Sequence, residues 1–300
     1  MRKKVFKITL ALSISTLFIS PLKAENFQEA AKKQMIEQVE VIKGCEPFEY
    51  SGNNGKMVLL LHGLGGCPHE VSLLGEYLNS KGYSVKAIRY PGHGVPGKEM
   101  SKFSWNDWYN AAETEYLNLS KTKDQIYIAG FSTGGTIGLR LAENYQVQKL
   151  VLLSPFIFLT HKWFYGFTPE TYLNSIGKLF DDLPANMTIV NLNDPKARKK
   201  YVRGDYFSVK ATRSALELIG IVKKDLDKVK SPTLLMHSKG DETTDYKSSE
   251  YIFTNIGSVQ KKLITLKKSN HLIPLDYEKE TVFTEVQKFL DDENGISLSN

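Results

Sequence analysis

An α/β fold built on a mostly parallel central sheet is predicted by three observations. Short apolar runs alternate with helical patterns, several runs such as VLLL and LVLL are apolar at every position, and a glycine-flanked serine follows one of them and opens a helical stretch. Alternation of this kind marks parallel strands joined by crossover helices. Strands apolar on both faces belong to a sheet covered on both sides. With 300 residues, 41% hydrophobic and 11% aromatic, the chain holds enough apolar side chain for a large core and is far from the composition of disordered polypeptides.

From the N-terminus, Arg2, Lys3 and Lys4 precede an apolar run from Val5 to Ser20, and small residues approach a cleavage point after Ala24. Residues 1–24 therefore read as a secretory signal, and the protein is expected to be exported, to a periplasm or to the medium. The run is short for a membrane span and is interrupted by Lys7, so no stable membrane insertion is expected after its removal. Arg2, Lys3, Lys4, Lys7 and Lys23 leave with it and no acidic residue does, which takes the net charge from +6 to +1. A nearly balanced mature surface without a long basic run gives no reason to expect nucleic acid or an anionic membrane as partner. Export would carry Cys45 and Cys67 into an oxidising compartment, where a disulfide persists. Whether the two can be joined depends on a Cα separation that sequence does not supply, and two inert thiols are the favoured reading, with the disulfide as alternative.

Residues 25–300 read as the enzyme-bearing domain, with core strands at Met57–Leu61, Ser84–Arg89, Gln125–Ala129, Gln148–Leu153, Thr233–His237 and Lys262–Leu266. Between them, Val71–Ser80 places Leu73, Leu74, Tyr77 and Leu78 on one helical face, and Thr281–Leu290 does the same with Val282, Val286 and Leu290. The alternation lapses over about 156–230, where Phe156, Phe158, Trp163, Phe164, Tyr165 and Phe167 cluster; this segment is expected to be an inserted cap offering an apolar wall.

Gly130-Phe131-Ser132-Thr133-Gly134 is a G-x-S-x-G between the strand QIYIA and a helical stretch, the context in which a sharp turn presents a serine hydroxyl as nucleophile. A tetrahedral intermediate needs backbone N–H donors beside it. His62-Gly63-Leu64-Gly65-Gly66 follows a strand on the same edge, so the oxyanion donors are expected to be the N–H groups of Leu64 and Thr133. His62 itself is expected to hold its loop rather than act as base. Nucleophile, acid and histidine occur in that chain order on this kind of turn, and of the histidines at 62, 69, 93, 161, 237 and 271 only His271, after the strand LITL, has both order and edge right. The carboxylate that orients it is expected to be Asp241, after TLLMHSKG, with Glu242, Asp245 and Asp276 as alternatives. Gly92-His93-Gly94-Val95-Pro96-Gly97-Lys98 imitates a phosphate loop, but Glu99 replaces the hydroxyl that such a loop needs and Pro96 removes an N–H. The sequence contains no H-x-x-x-H or C-x-x-C pair, and no metal or cofactor is implied.

The segments CEPFEY, LLLHGLGGCPHEV, LGEYLNSKGY, RYPGHGVP, WNDWY, IAGFSTGG, LLSP, PTLLMHSKGDE and SNHLIPLDYEKE occur in this order from Cys45 onward. In them the chain resembles the bacterial carboxylesterase and monoacylglycerol-lipase-like branch of the α/β-hydrolases. The resemblance implies an α/β-hydrolase fold and cofactor-free cleavage of a small ester, either a short- to medium-chain acyl ester or a monoacylglycerol, through an acyl-enzyme. It places Ser132, Asp241 and His271 as the triad, with Leu64 and Thr133 as oxyanion donors. Two departures from the family pattern stand out: Thr133 where Met or Leu is frequent, and an acid loop, GDETTDY, without the frequent apolar-Pro pair after the aspartate. The same triad would also serve a thioesterase or a cap-bearing peptidase, and the fold alone would serve a catalytically silent binding protein.

Overall fold

The computed structural model describes residues 40–161, 166–175, 182–184 and 189–292. The expected signal at 1–24 and the cap aromatics Trp163, Phe164 and Tyr165 lie outside the described residues.

In chain order the described elements are β1 (Phe48–Tyr50), β2 (Lys56–Leu61), α1 (His69–Ser80), β3 (Ser84–Ala87), α2 (Trp105–Ser120), β4 (Gln125–Phe131), α3 (Thr133–Asn144), β5 (Lys149–Leu153), α4 (Pro169–Asn174), β6 (Asp182–Pro184), α5 (Pro195–Lys200), β7 (Tyr206–Ser208), α6 (Val209–Asp225), β8 (Thr233–Ser238), α7 (Lys247–Asn255), β9 (Lys261–Leu266) and α8 (Lys279–Asp291). Seven strands form one sheet in the order β1-β3-β2-β4-β5-β8-β9. All neighbours in it are parallel except β1, which pairs antiparallel with β3. The six strands expected from sequence are those six parallel strands. The seventh, β1, is three residues long with no buried position, so no apolar run announces it.

The physical reason for the parallel arrangement is visible in β2, β4, β5 and β8, where every residue but the first of β2, β4 and β5 is buried. Such strands require cover on both faces, and each fully buried aliphatic side chain contributes about 1.5–3 kcal/mol. The register sets Leu61 beside Gly130, Phe131 beside Leu153, and Leu153 beside Met236. The chain therefore leaves β2, β4, β5, β8 and β9 on one edge of the sheet, the edge where open α/β sheets bind ligands.

Between β5 and β8 the chain forms α4, the two-stranded β6–β7 ribbon, α5 and α6. Helix α6 packs against α2 and α3, so it continues the helical layer of the sheet, while the residues before it supply much of one wall of a cleft described below. Among the described residues no helix is long and apolar enough to cross a membrane.

Cys45 and Cys67 are joined as a disulfide with their Cα atoms 5.2 Å apart, which corrects the expectation of two thiols. Sequence could not show it because the deciding distance is set by the turn at PGHGVP. Gly94 (φ 62°) lies so close that a Cβ there would stand 2.7 Å from Cys45 Cβ. The bridge closes 22 residues, a loop whose constraint in the unfolded chain is worth about 3 kcal/mol. The double variant Cys45→Ala/Cys67→Ala is accordingly expected to unfold at lower urea concentration with a stability loss of about 2–4 kcal/mol; an unchanged midpoint would show that the bridge contributes nothing.

Candidate active site

Ser132 sits between β4 and α3 with φ 54° and ψ −121°, a conformation that costs a non-glycine residue about 1–3 kcal/mol. The turn is possible because of its flanking glycines. A Cβ on Gly130 would stand 2.3 Å from Gly134 O, and one on Gly134 2.3 Å from Leu61 O, both contacts with rigid backbone. The Ser132 N–H donates to Leu153 O at 2.9 Å, tying the turn to the neighbouring strand.

The hydroxyl meets an imidazole: Ser132 Oγ and His271 Nε2 are 3.0 Å apart. His271 Nδ1 is in turn 2.7 Å from Asp241 Oδ2. All three residues are buried. The loop that carries His271 is clamped by two carboxylates. Asp276 accepts the N–H groups of Asn270 (2.7 Å), Tyr277 (2.8 Å), Asn193 and Asp194 (both 2.9 Å). Glu278 accepts those of Lys267, Lys268 and Ser269; burial alone would raise its pKa, but these backbone donors hold it below the ordinary carboxylate value.

Asp241 is the carboxylate that reaches the imidazole. Its Oδ1 accepts from the N–H groups of Thr243 (2.8 Å) and Thr244 (2.9 Å), and its Oδ2 also accepts from Thr244 Oγ1 (3.0 Å). Burial pushes its pKa up, yet the His271 charge and the hydrogen bonds from His237 and His271 outweigh that and hold the carboxyl far below its usual range. The three alternatives do other work: Glu242 is exposed, Asp245 accepts from the Lys247 N–H at 2.9 Å, and Asp276 holds the histidine loop.

Beside the serine, His62 is buried and keeps to its loop, as the sequence suggested. Its Nδ1 donates to Gly63 O at 2.9 Å and its Nε2 accepts from the Tyr90 N–H at 3.2 Å, and burial drives its pKa well down so that it stays neutral. That carbonyl belongs to the same planar peptide as the Leu64 N–H, so fixing one fixes the direction of the other. Leu64 and Thr133 both line the cleft next to Ser132, and neither N–H donates to an acceptor among the described residues. Thr133 is also the first residue of α3, where an N–H has no partner inside the helix and the helix end favours negative charge.

A family model for serine aminopeptidase S33 matches residues 52–278, a span that contains the serine turn, the acid loop and the histidine. The chain belongs to that family. It is a hydrolase. Two relatives agree with the resemblance read from the sequence: a carboxylesterase of Bacillus subtilis (strain 168), 28% identical over 82% of this chain and 96% of its own, and a thermostable monoacylglycerol lipase of Bacillus sp. (strain H-257), 29% identical over 85% and 98%. A solved metagenome-derived lipolytic enzyme superposes with a TM-score of 0.76 at 23% identity over 84% of this chain and 99% of its own, which shows the shared α/β-hydrolase fold.

In this hydrolase the serine opens into a cleft of about 850 Å³, part of it open to solvent. Leu64, Phe156, Leu159, Val190, Phe207 and Leu272 give it apolar walls, and one carboxylate, that of Glu70, lies among its described lining residues. Sequence reasoning missed two residues here. His237 is buried at the end of β8, with Nε2 3.1 Å from Asp241 Oδ2, the oxygen that His271 also contacts, and Nδ1 2.8 Å from Ser249 Oγ, so it helps fix the carboxylate. Its placement four residues before Asp241 on a buried strand was a signal available in the sequence. Glu70 is the other; nothing in its local pattern distinguishes it from a helix-surface glutamate, and only the fold buries it.

Proposed function

We propose that this hydrolase cleaves carboxylic esters, of short- to medium-chain acids or of monoacylglycerols, through an acyl-enzyme on Ser132. The linked hydrogen bonds from Asp241 to His271 to Ser132, opening into an apolar-walled cleft, carry the reading. In the mechanism they support, His271 Nε2 takes the serine proton as Oγ bonds to the ester carbonyl carbon. The oxyanion is received by the N–H groups of Leu64 and Thr133, and the carbonyl re-forms as the alcohol leaves with the proton from His271. Water then repeats the attack and releases the acid, while Asp241 holds the imidazole tautomer and stabilises its protonated form.

The names of both relatives, carboxylesterase and monoacylglycerol lipase, support an ester substrate. The cleft favours it over a peptide amine. Glu70 is committed to the Gly63 N–H and the Tyr201 O–H, which leaves no uncommitted carboxylate among the described lining residues for a substrate ammonium. Export remains part of the proposal, and the Cys45–Cys67 disulfide supports an oxidising compartment.

Each methylene buried in the cleft contributes about 0.8 kcal/mol, so two added carbons should raise kcat/KM roughly tenfold while the cleft has room. The expected profile with p-nitrophenyl esters from acetate to palmitate is a rise to a short or medium optimum and then a fall. Aminoacyl p-nitroanilides are expected to be far poorer substrates. A flat profile would remove the apolar subsite, and faster anilide cleavage would make this a peptidase.

A further inference from the structure

The loop that offers the Leu64 N–H is wrapped around a buried side chain. Glu70, in the first turn of α1, is 3% exposed and turns its carboxylate back into the Gly63–Gly66 loop. A Cβ on Gly66 would stand 2.1 Å from Glu70 Oε1, and one on Gly63 would stand 3.1 Å from Oε2 and 3.2 Å from Ser132 Cβ. The glycines of this loop thus make room for the carboxylate on one side and the nucleophile on the other.

Two donors hold that carboxylate. Oε2 accepts from the Gly63 N–H at 2.8 Å. Oε1 accepts from the phenol of Tyr201 at 2.6 Å, and Tyr201 follows α5, within the segment inserted between β5 and β8. A carboxylate beside a developing oxyanion works against catalysis by charge, and a site with no use for it would be better served by an apolar residue. Its use lies in the backbone. His62 fixes the carbonyl of the Gly63–Leu64 peptide, and Glu70 fixes the N–H of the peptide before it. The pair of anchors determines where the Leu64 N–H points.

We propose that Glu70 is a positioning residue for the oxyanion site, and that Tyr201 makes its hold depend on the inserted segment being seated over the cleft. The inference rests on the ester-hydrolase reading and extends it: the anion site is complete only when the wall that receives the acyl group is in place. Burial raises the Glu70 pKa, while the hydrogen bonds from Tyr201 and Gly63 and the charges of His271 and Arg203 oppose the rise. Burial together with the Glu70 charge keeps Tyr201 a protonated donor.

The test uses Glu70→Gln, Tyr201→Phe and the double variant, with active sites counted by fluorophosphonate titration so that misfolded protein drops out. A Gln amide is uncharged and has one acceptor oxygen, so its NH₂ must either oppose the Gly63 N–H or turn the Tyr201 hydroxyl from donor to acceptor. Glu70→Gln is expected to lower kcat per titrated site about 10²-fold with KM nearly unchanged, and to weaken binding of a boronic acid that mimics the tetrahedral state by the same factor. Tyr201→Phe is expected to cost roughly tenfold in kcat, and little more when added to Glu70→Gln. If per-site kcat and boronate affinity stay at wild-type level in Glu70→Gln, the positioning role is wrong. Additive effects in the double variant would remove the coupling to the inserted segment. The rate of fluorophosphonate labelling depends on the same anion site, so it reports on Glu70 even if the wild-type protein turns over no ester, an outcome that would overturn the ester reading instead.

Discussion

Ser132→Ala is expected to lower kcat for p-nitrophenyl esters on the order of 10⁶-fold while leaving the fold intact. The hydroxyl hydrogen-bonds to His271 Nε2 at 3.0 Å, so in the proposed mechanism removing it leaves the imidazole with nothing to activate. The other hydroxyl hydrogen-bonded to this imidazole among the described residues, Thr244 Oγ1, stands 3.3 Å from Nδ1, the wrong nitrogen, and is turned toward Asp241. Alanine can occupy the same positive-φ turn as serine, since that strain belongs to the backbone and is sustained by Gly130 and Gly134. The thermal midpoint should therefore stay near the wild-type value, with fluorophosphonate labelling abolished. Turnover near wild type would move the nucleophile to another residue.

Asp241→Asn is expected to cost about 10⁴-fold in kcat, because an amide in place of the carboxylate leaves His271 in the wrong tautomer and its protonated form unsupported. The effect should reach stability as well. The wild-type carboxylate accepts from Thr243, Thr244, His237 and His271, whereas an asparagine presents an NH₂ to one set of these donors. The sign with pH follows from the depressed carboxyl pKa. In the unfolded chain an aspartate titrates near about 3.9, so the stabilisation from Asp241 is complete above that value and disappears as the pH falls through its lower folded value. Asp241 thus stays ionised wherever the enzyme works, and its own protonation should not contribute to the acid limb of kcat/KM. Asp245→Asn proving the damaging substitution instead would overturn the assignment of the acid.

The parts of the molecule legible in the sequence are those encoded by neighbouring residues. Strands buried on both faces announce themselves as continuous apolar runs, and β1 escaped because its three residues have no buried position. The serine turn was legible because its strain demands small residues two positions away on either side, which a local pattern records. The histidine followed from chain order on one sheet edge. Choosing among Asp241, Glu242, Asp245 and Asp276 rested on proximity to a strand end, and only the direction in which each side chain leaves its loop separates them.

By itself the sequence determined the sheet, the serine turn and the edge of the sheet on which Ser132, Asp241 and His271 meet, since each depends on residues adjacent in the chain or on the rule that parallel strands end together. Tertiary structure decided the rest: that Cys45 meets Cys67, that His237 reaches Asp241, and that Glu70 accepts from the Gly63 N–H and, across 131 positions, from the Tyr201 hydroxyl. These are contacts of a few ångströms whose partners are chosen by how separate loops pack against one another, and a buried polar group gains its role only when the fold removes water and leaves it a protein partner.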